Sequence, residues 1–254
     1  MLKYLKNSKT PKSYRDWPKV KPGEIMMIPK DDRLHDLPDP VVNQENWPDW
    51  WKEMPKDSTG SILGCKGIQD YLSHGITVPL WGDMDFQPMG LKEVTATPSD
   101  PFFRVERFRY ESAEGAPINE GRERSEGSYI KIVSPWLYKT APGYSLLVLP
   151  VAYEPSPDYE VLPAIVNTDY YHNLHVVVRV MSDREFTIRA GTPIYHLIPI
   201  KRKENVNKII IGLPKMFVQG RSRGVDRFGF RPSNRKGLYR RHQREADAGE
   251  CPMG

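Results

Sequence analysis

The stretch from Thr140 to Arg202, TAPGYSLLVLPVAYEPSPDYEVLPAIVNTDYYHNLHVVVRVMSDREFTIRAGTPIYHLIPIKR, decides the fold. Strand-like runs recur in it at Tyr144–Pro150, Leu162–Asn167, Leu174–Met181, Glu185–Arg189 and Ile194–Pro199, with turn residues between them. Short strands at about ten-residue spacing are the pattern of an all-β sandwich or barrel. Val176, Val178 and Val180 alternate with Val177 and Arg179. Successive side chains of a strand point to opposite faces, so one face of this strand is fully apolar. Upstream, Tyr129-Ile130-Lys131-Ile132-Val133 opens the same region.

Moving towards the N-terminus, Ile68, Tyr71 and Leu72 stand at i, i+3 and i+4, which predicts one short amphipathic helix. Gly75 follows as its C-cap. Ile76, Val78 and Leu80 then alternate, predicting a strand over Gly75–Trp81 that continues through a turn or bulge at Trp81–Phe86. Another strand is expected near Phe102–Tyr110, with Phe103, Val105 and Phe108 as candidates for burial. Residues 111–127 are polar and turn-rich, and read as a surface loop.

Residues 1–60 read as an extended N-terminal arm, rich in proline and tryptophan and without a clean period. An apolar segment that cannot build its own core lies on something else. Trp47, Trp50 and Trp51 are therefore expected to be anchors, on the chain's own body or on a partner. The β-rich core domain is expected over 61–212. A basic, partly disordered tail is expected over 213–254.

The 254 residues are enough to bury a sizeable core, and 24 prolines favour short strands and ordered loops over long helices. Cys65 and Cys251 lie far apart, which argues against a disulfide framework or a cysteine metal knuckle. The opening residues lack the apolar run of a signal peptide, and no stretch reaches the roughly 18 apolar residues of a membrane span. The expected location is a cytosol, or a particle assembled there. Charge is unevenly placed: residues 201–254 hold 14 Lys/Arg against 5 Asp/Glu, whereas the first 200 residues hold 23 against 27. Arg221, Arg223, Arg240 and Arg241, with Phe228, Phe230 and Tyr239 interspersed, suit phosphate contact and base stacking, or docking on an acidic protein surface. A solvated solubility tail has the same composition.

Three pieces of the opening stretch, in this order, resemble the dUTPase-type β-barrel. Pro142-Gly143-Tyr144 is similar to the turn entering a core strand. Val166-Asn167-Thr168-Asp169-Tyr170 is similar to that family's nucleotide-site hairpin. Gly191-Thr192-Pro193-Ile194, followed by Leu197-Ile198, is similar to its glycine-led strand, with His196 where the family has an amide residue. The resemblance implies the fold. The chemistry departs from it, because Asn167 occupies the place of the family's water-orienting aspartate, and an amide cannot serve as a base near neutral pH. Pro150-Val151-Ala152-Tyr153 stands where the serine-bearing phosphate loop belongs, and the glycine-rich C-terminal arm is reduced to Gly220–Gly224. A second resemblance, carried by GITVPLWGDMDF upstream of APGYSLLV, LPAIVNTDYYH and IRAGTPIYHLIPIKR, is to uncharacterised proteins of tailed phages and some bacteria; it implies a phage setting, hence a host cytoplasm or a virion, and no activity.

If the dUTPase-like pocket persists, the resemblance makes Asn167, Asp169 and Tyr170 the ligand contacts, Tyr170 stacking beneath a base or sugar. Asp169 shaping the hairpin turn is the other reading. His172, His175 and His196 with Asp169 contain the residue types of a metal site. His172 and His175 are three apart, however, which on a regular strand sends them to opposite faces, so no metal is expected. Asp83 and Asp85 share a face and form a paired-carboxylate site or a solvated edge. Neither Ser134 nor Ser145 has the flanking glycines of a nucleophile elbow.

These readings give a mainly β protein, a dUTPase-like or jelly-roll-type barrel or sandwich with one short helix and long extensions. The expected function is non-enzymatic and without cofactor: a structural or binding protein, virion-associated or an assembly component, homo-oligomeric and trimeric by the resemblance. It would dock on other phage or host proteins, with nucleic acid as a further partner of the tail. The alternative is a nucleotide-binding or nucleotide-processing protein with a rebuilt site.

Overall fold

A computed structural model describes residues 17–30, 38–44, 47–55, 62–89, 93–101, 103–107 and 129–210. The chain divides into two compact units, one formed by residues 1–49 and 72–204, the other by 50–71 and 205–254.

The first unit is built from antiparallel sheets, as the alternating sequence dictates. In chain order its strands are β1 (Ile25–Pro29), β2 (Val41–Val42), β3 (Ile76–Pro79), β4 (Met84–Met89), β5 (Glu93–Pro98), β6 (Arg104–Arg107), β7 (Tyr129–Thr140), β8 (Tyr144–Leu149), β9 (Tyr159–Val161), β10 (Ala164–Val166), β11 (Asn173–Val180), β12 (Phe186–Ile188) and β13 (Pro193–Lys201). The first sheet runs β1-β7-β11-β9, with β6 also on β7; the second runs β10-β8-β13-β3-β2; the third runs β12-β4-β5. The protein is mainly β, and no sheet among the described residues closes into a barrel.

Period-two burial builds one core from the inner faces of all three sheets. Ile130, Ile132, Leu174, Val176 and Val178 come from the first sheet, Val78, Leu146, Ile194 and Leu197 from the second, and Met84, Phe86 and Val94 from the third. Val176, Val178 and Val180 are essentially inaccessible, the face expected from their alternation. At the centre of this core sits a polar group. Tyr138 of β7 and Tyr195 of β13 share a hydrogen bond of 2.6 Å between their hydroxyls, and Ser134 Oγ lies 3.1 Å from the Tyr138 hydroxyl. Burial pushes both phenols up, Tyr195 to about 12. Both therefore stay neutral and can share protons within the apolar core.

The elements differ from the expected ones at several places, the unread strands β5 and β9 among them. Part of the segment read as an extended arm is woven into the body: β1 pairs with β7 from Ile25↔Thr140 to Pro29↔Trp136, β2 pairs with β3, and Trp17 and Val20 are buried. Its alternation is hidden because β1 buries residues only partly on either face. The strand that opens at Tyr129 runs on to Thr140 through Pro135. Pairing with β11 skips there, Asn173 facing Leu137 and His175 facing Val133. An irregularity is where a sheet tolerates a proline, which has no N–H to give. A helix α1 (Asp49–Glu53) carries Trp50 and Trp51 in addition to the expected helix, α2 (Lys66–Ser73).

The second unit contains, among its described residues, most of both helices. Its Ile62–Gly64 turn leads into α2, where the Gln69 amide donates to the Leu63 carbonyl and Lys66 pairs with Asp70 one turn on.

Gly75 ends the helical connection with φ +73°, and a Cβ there would lie 2.0 Å from the carbonyl oxygen of Leu197 on β13. Only glycine meets both conditions. Gly75→Ala should therefore lose about 2 kcal/mol or more in urea unfolding. Tyr195→Phe removes one hydroxyl from a satisfied buried group and should lose about 1 kcal/mol. Because the folded phenol values are raised, their contribution is complete below the ordinary value of 10 and is lost as pH rises towards about 12. Absorbance at 295 nm should show the last tyrosines ionising together with alkaline unfolding.

Candidate functional site

Three segments far apart in sequence meet at one end of the first unit. The turn between β7 and β8 is Ala141-Pro142-Gly143-Tyr144, closed by Tyr144 N–H to Ala141 O at 3.0 Å, with Gly143 at φ +83°. Proline followed by a positive-φ glycine is the requirement of a type II turn. The connection between β10 and β11 is held by Tyr171 N–H to Asn167 O at 2.9 Å. Just past β13, Arg202 N–H donates to Gly143 O at 3.0 Å, which brings its side chain over both.

Asp169 is the centre of this meeting. Its carboxylate accepts from Arg202 through both oxygens, at 2.7 and 2.6 Å, and from Gly143 N–H at 2.9 Å. Burial alone would raise its pKa, but the guanidinium and amide donors outweigh this and hold it below the ordinary carboxylate value. Arg202 Nη1 reaches the Tyr144 carbonyl and Ser145 Oγ as well, both at 3.2 Å, and the guanidinium lies 5.5 Å from the Tyr170 ring centroid. Ser145 donates to Asn167 Oδ1 and the Asn167 amide donates to the Tyr170 hydroxyl, each at 2.7 Å. Beneath them the Thr140 and Thr168 hydroxyls meet at 2.9 Å in full burial.

The structure thus brings Asn167, Asp169 and Tyr170 together and adds Arg202 and Ser145, which sequence reasoning did not assign to the site. Arg202 lies 33 residues from its partner, and only the pairing of β8 with β13 places it. Chemically the arrangement is a fastener. Three donors fill most of the acceptor positions of an ionised carboxylate, and the Asn167 amide is engaged at both ends. The surface it offers is aromatic: Tyr170 is 67% exposed and the next residue, Tyr171, about half exposed; Ile165, on the edge strand β10 that leads into this connection, is 60% exposed.

The other candidates lie apart. His172 Nδ1 sits between the carbonyls of Tyr138 and Thr168, His175 lies on the outer face of the first sheet, and His196 is buried behind the second. Among the described residues no group of three His, Cys, Asp or Glu is placed to hold a metal. His196 Nε2 lies 2.7 Å from the His74 carbonyl and 3.0 Å from the Asn43 amide; burial lowers its pKa. His196 and Asn43 line a cavity of about 30 Å³ with Thr77, Leu72 and Ala152, room for one water and far too small for a base. Asp83 accepts from Ala190 N–H and Arg189, and Asp85 from the Thr187 hydroxyl, so both carboxylates pin β4 to the β12 region. Trp47 precedes α1, and Trp50 and Trp51 on that helix meet edge to face at 5.6 Å; all three are half-buried. Arg221, Arg223, Arg240 and Arg241 lie outside the described residues.

Fold and site together define a class, a three-sheet β protein with a self-satisfied polar fastener beside an exposed aromatic patch. The chain matches no protein-family model and no curated protein. No helix among the described residues is long and apolar enough to cross a membrane.

Asp169→Asn should lose about 2 kcal/mol, since it leaves Arg202 without its counter-charge. The lowered pKa of Asp169 fixes the sign of the pH dependence. Its stabilisation is complete above the ordinary value of 3.8 and is lost as pH falls through the lower folded value. The stability gap between wild type and Asp169→Asn, read from urea midpoints, should therefore be constant near neutrality and close below pH 3.8.

Proposed function

We propose that this protein is non-enzymatic and works by docking, as a structural or assembly component that self-associates, in a phage-type particle or on the path to one. The observation that carries this reading is the closure of the Asp169 site on itself. The groups that a nucleotide or a reacting water would need are bonded to Arg202, Gly143, Ser145 and Tyr170. A general base needs a free acceptor in reach of its proton, and the Asp169 carboxylate and Asn167 amide are both engaged.

The exposed side chains beside the site support docking. Tyrosines contribute large contact area at low entropic cost. Tyr170, Tyr171 and Ile165, close in sequence and all exposed, are the kind of side chains that mark an interface. Past β13, Val206, Ile209 and Ile210 are each at least 80% exposed, a second apolar surface. The resemblance of the sequence to phage proteins supports the particle setting, and the dUTPase-like texture supports a trimer.

Light scattering coupled to size-exclusion chromatography should find a stable oligomer, and Tyr170→Ser with Ile165→Ser should shift it towards monomer. A thermal-shift panel of nucleoside mono-, di- and triphosphates should be flat. A monomer whose melting temperature rises with one nucleotide would overturn the reading, because a ligand that binds only the folded state stabilises it by mass action.

A further inference from the structure

The outer face of the first sheet carries a second cluster, away from Asp169. Register places it strand by strand. Val133 on β7 faces Arg104 of β6 on one side and His175 of β11 on the other. One pleat along, Lys131 faces Glu106 and Val177. Inner-face neighbours Ile130, Ile132, Leu174 and Val176 are buried, so Arg104, Glu106, Lys131, Val133 and His175 share the opposite face. Lys30, following β1, reaches the same place, donating from Nζ to the Ser134 carbonyl at 2.7 Å and from its backbone N–H to Pro135 O.

The charges do not balance. Among the described residues Glu106 is the acid of this cluster, and Lys131 holds it at 2.8 Å. Among the described residues neither Lys30 nor Arg104 forms an ion pair, and Arg104 acts on Glu106 through its charge alone. Burial and the charge of Arg104 both lower the Lys30 pKa, as expected for a cation with no counter-ion. Beside them the Nδ1 atom of His175 is buried without a hydrogen-bond partner among the described residues. Burial, Lys131 and Lys30 lower the His175 pKa, and Glu106 offsets them in part. A buried polar atom without a partner is costly, and so are like charges held together.

We infer that Lys30, Arg104 and His175 form an anion site on the outer face of the first sheet, of the kind that takes a phosphate dianion. Strands in a sheet lie about 4.8 Å apart, so the Cα atoms of Arg104 and His175 stand about 10 Å apart across β7. Arginine and lysine stems span that gap, and the guanidinium fork matches phosphate oxygens. Two unpaired cations answer the two charges. The imidazole supplies a further donor when the long side chains part around the ion. Lys131 and Glu106 border the site, and their mutual pair leaves the net charge positive. A carboxylate would neutralise one cation and leave the other.

The probe is inorganic phosphate, titrated against sodium chloride at matched ionic strength and followed on the His175 imidazole by NMR, assigned with His175→Gln. Phosphate should give a saturable shift and raise the His175 titration midpoint, since a bound anion favours the imidazolium. Arg104→Gln, on an exposed side chain, should weaken phosphate tenfold or more without moving the melting temperature in chloride. Glycerol phosphate in a parallel titration separates the two sources of the group. Tighter binding of the ester than of the free ion points to a phosphorylated metabolite, and the reverse to phosphate itself; either supports the site. Equal shifts with chloride and phosphate, or unchanged phosphate affinity in Arg104→Gln, would overturn it.

Discussion

The hydrogen bond between Tyr138 and Tyr195 joins the two larger sheets through the middle of an apolar core, at 2.6 Å and with no exposure to water. Hydrophobic packing alone is non-directional and lets facing sheets slide by small amounts. A directional bond in a low-dielectric interior does not, because displacement strands a buried hydroxyl. Side chains alternate with a period of two, so a slip of one residue in either β7 or β13 would also send its tyrosine to the opposite face. Tyr138 fixes β7, which pairs with β1, β6 and β11; Tyr195 fixes β13, which pairs with β3 and β8.

The Asp169 fastener depends on that alignment. The backbone of Tyr138 is bonded to His172, at the root of the hairpin that carries Asp169, and Thr140 N–H reaches Thr168 O. Arg202 stands immediately past β13. One half of the ion pair thus follows β13, and the other sits on a connection hydrogen-bonded to β7, the two strands that the tyrosines hold together. A bidentate pair tolerates little misplacement, so the site is a consequence of the core rather than an addition to it. Its chemistry follows: neighbouring donors consume the acceptor capacity of the carboxylate, and what is left facing outward is the aromatic face of Tyr170.

Most of the strands could be read in the sequence because their apolar alternation is strong. The runs beginning at Tyr144, Leu174, Glu185 and Ile194 all correspond to strands. The short helix before Gly75 was legible from its spacing, and the glycine from its place. What was not legible depended on tertiary context. β5 is polar but for Val94 and Ala96 and ends in a proline, β9 has three residues among prolines and acids, and β1 is half-buried throughout. Each exists because a neighbour supplies the pairing. Asn167, Asp169 and Tyr170 were legible as a group from the hairpin motif. Arg202 was not, because nothing local marks an arginine for a partner 33 residues away. The cationic cluster on the outer sheet was hidden for the same reason: Lys30, Arg104 and His175 come from three separate regions of the chain.

The strand order also sets a schedule for assembly. β1, complete at Pro29, has no partner among the described residues until Trp136–Thr140 has been made, and β3, complete at Pro79 and paired on one edge with β2, waits on its other edge for Pro193–Leu197. Pairing over such separations requires closing long loops before any contact rewards the closure, which makes folding slow. During synthesis the early strands wait with open edges for more than a hundred residues. At about 5–20 residues per second that is an interval of several seconds or more. A nascent chain of this topology is therefore a natural client for chaperones that shield unpaired strands. Its yield in a cell should depend as much on how fast it is made as on how stable it becomes.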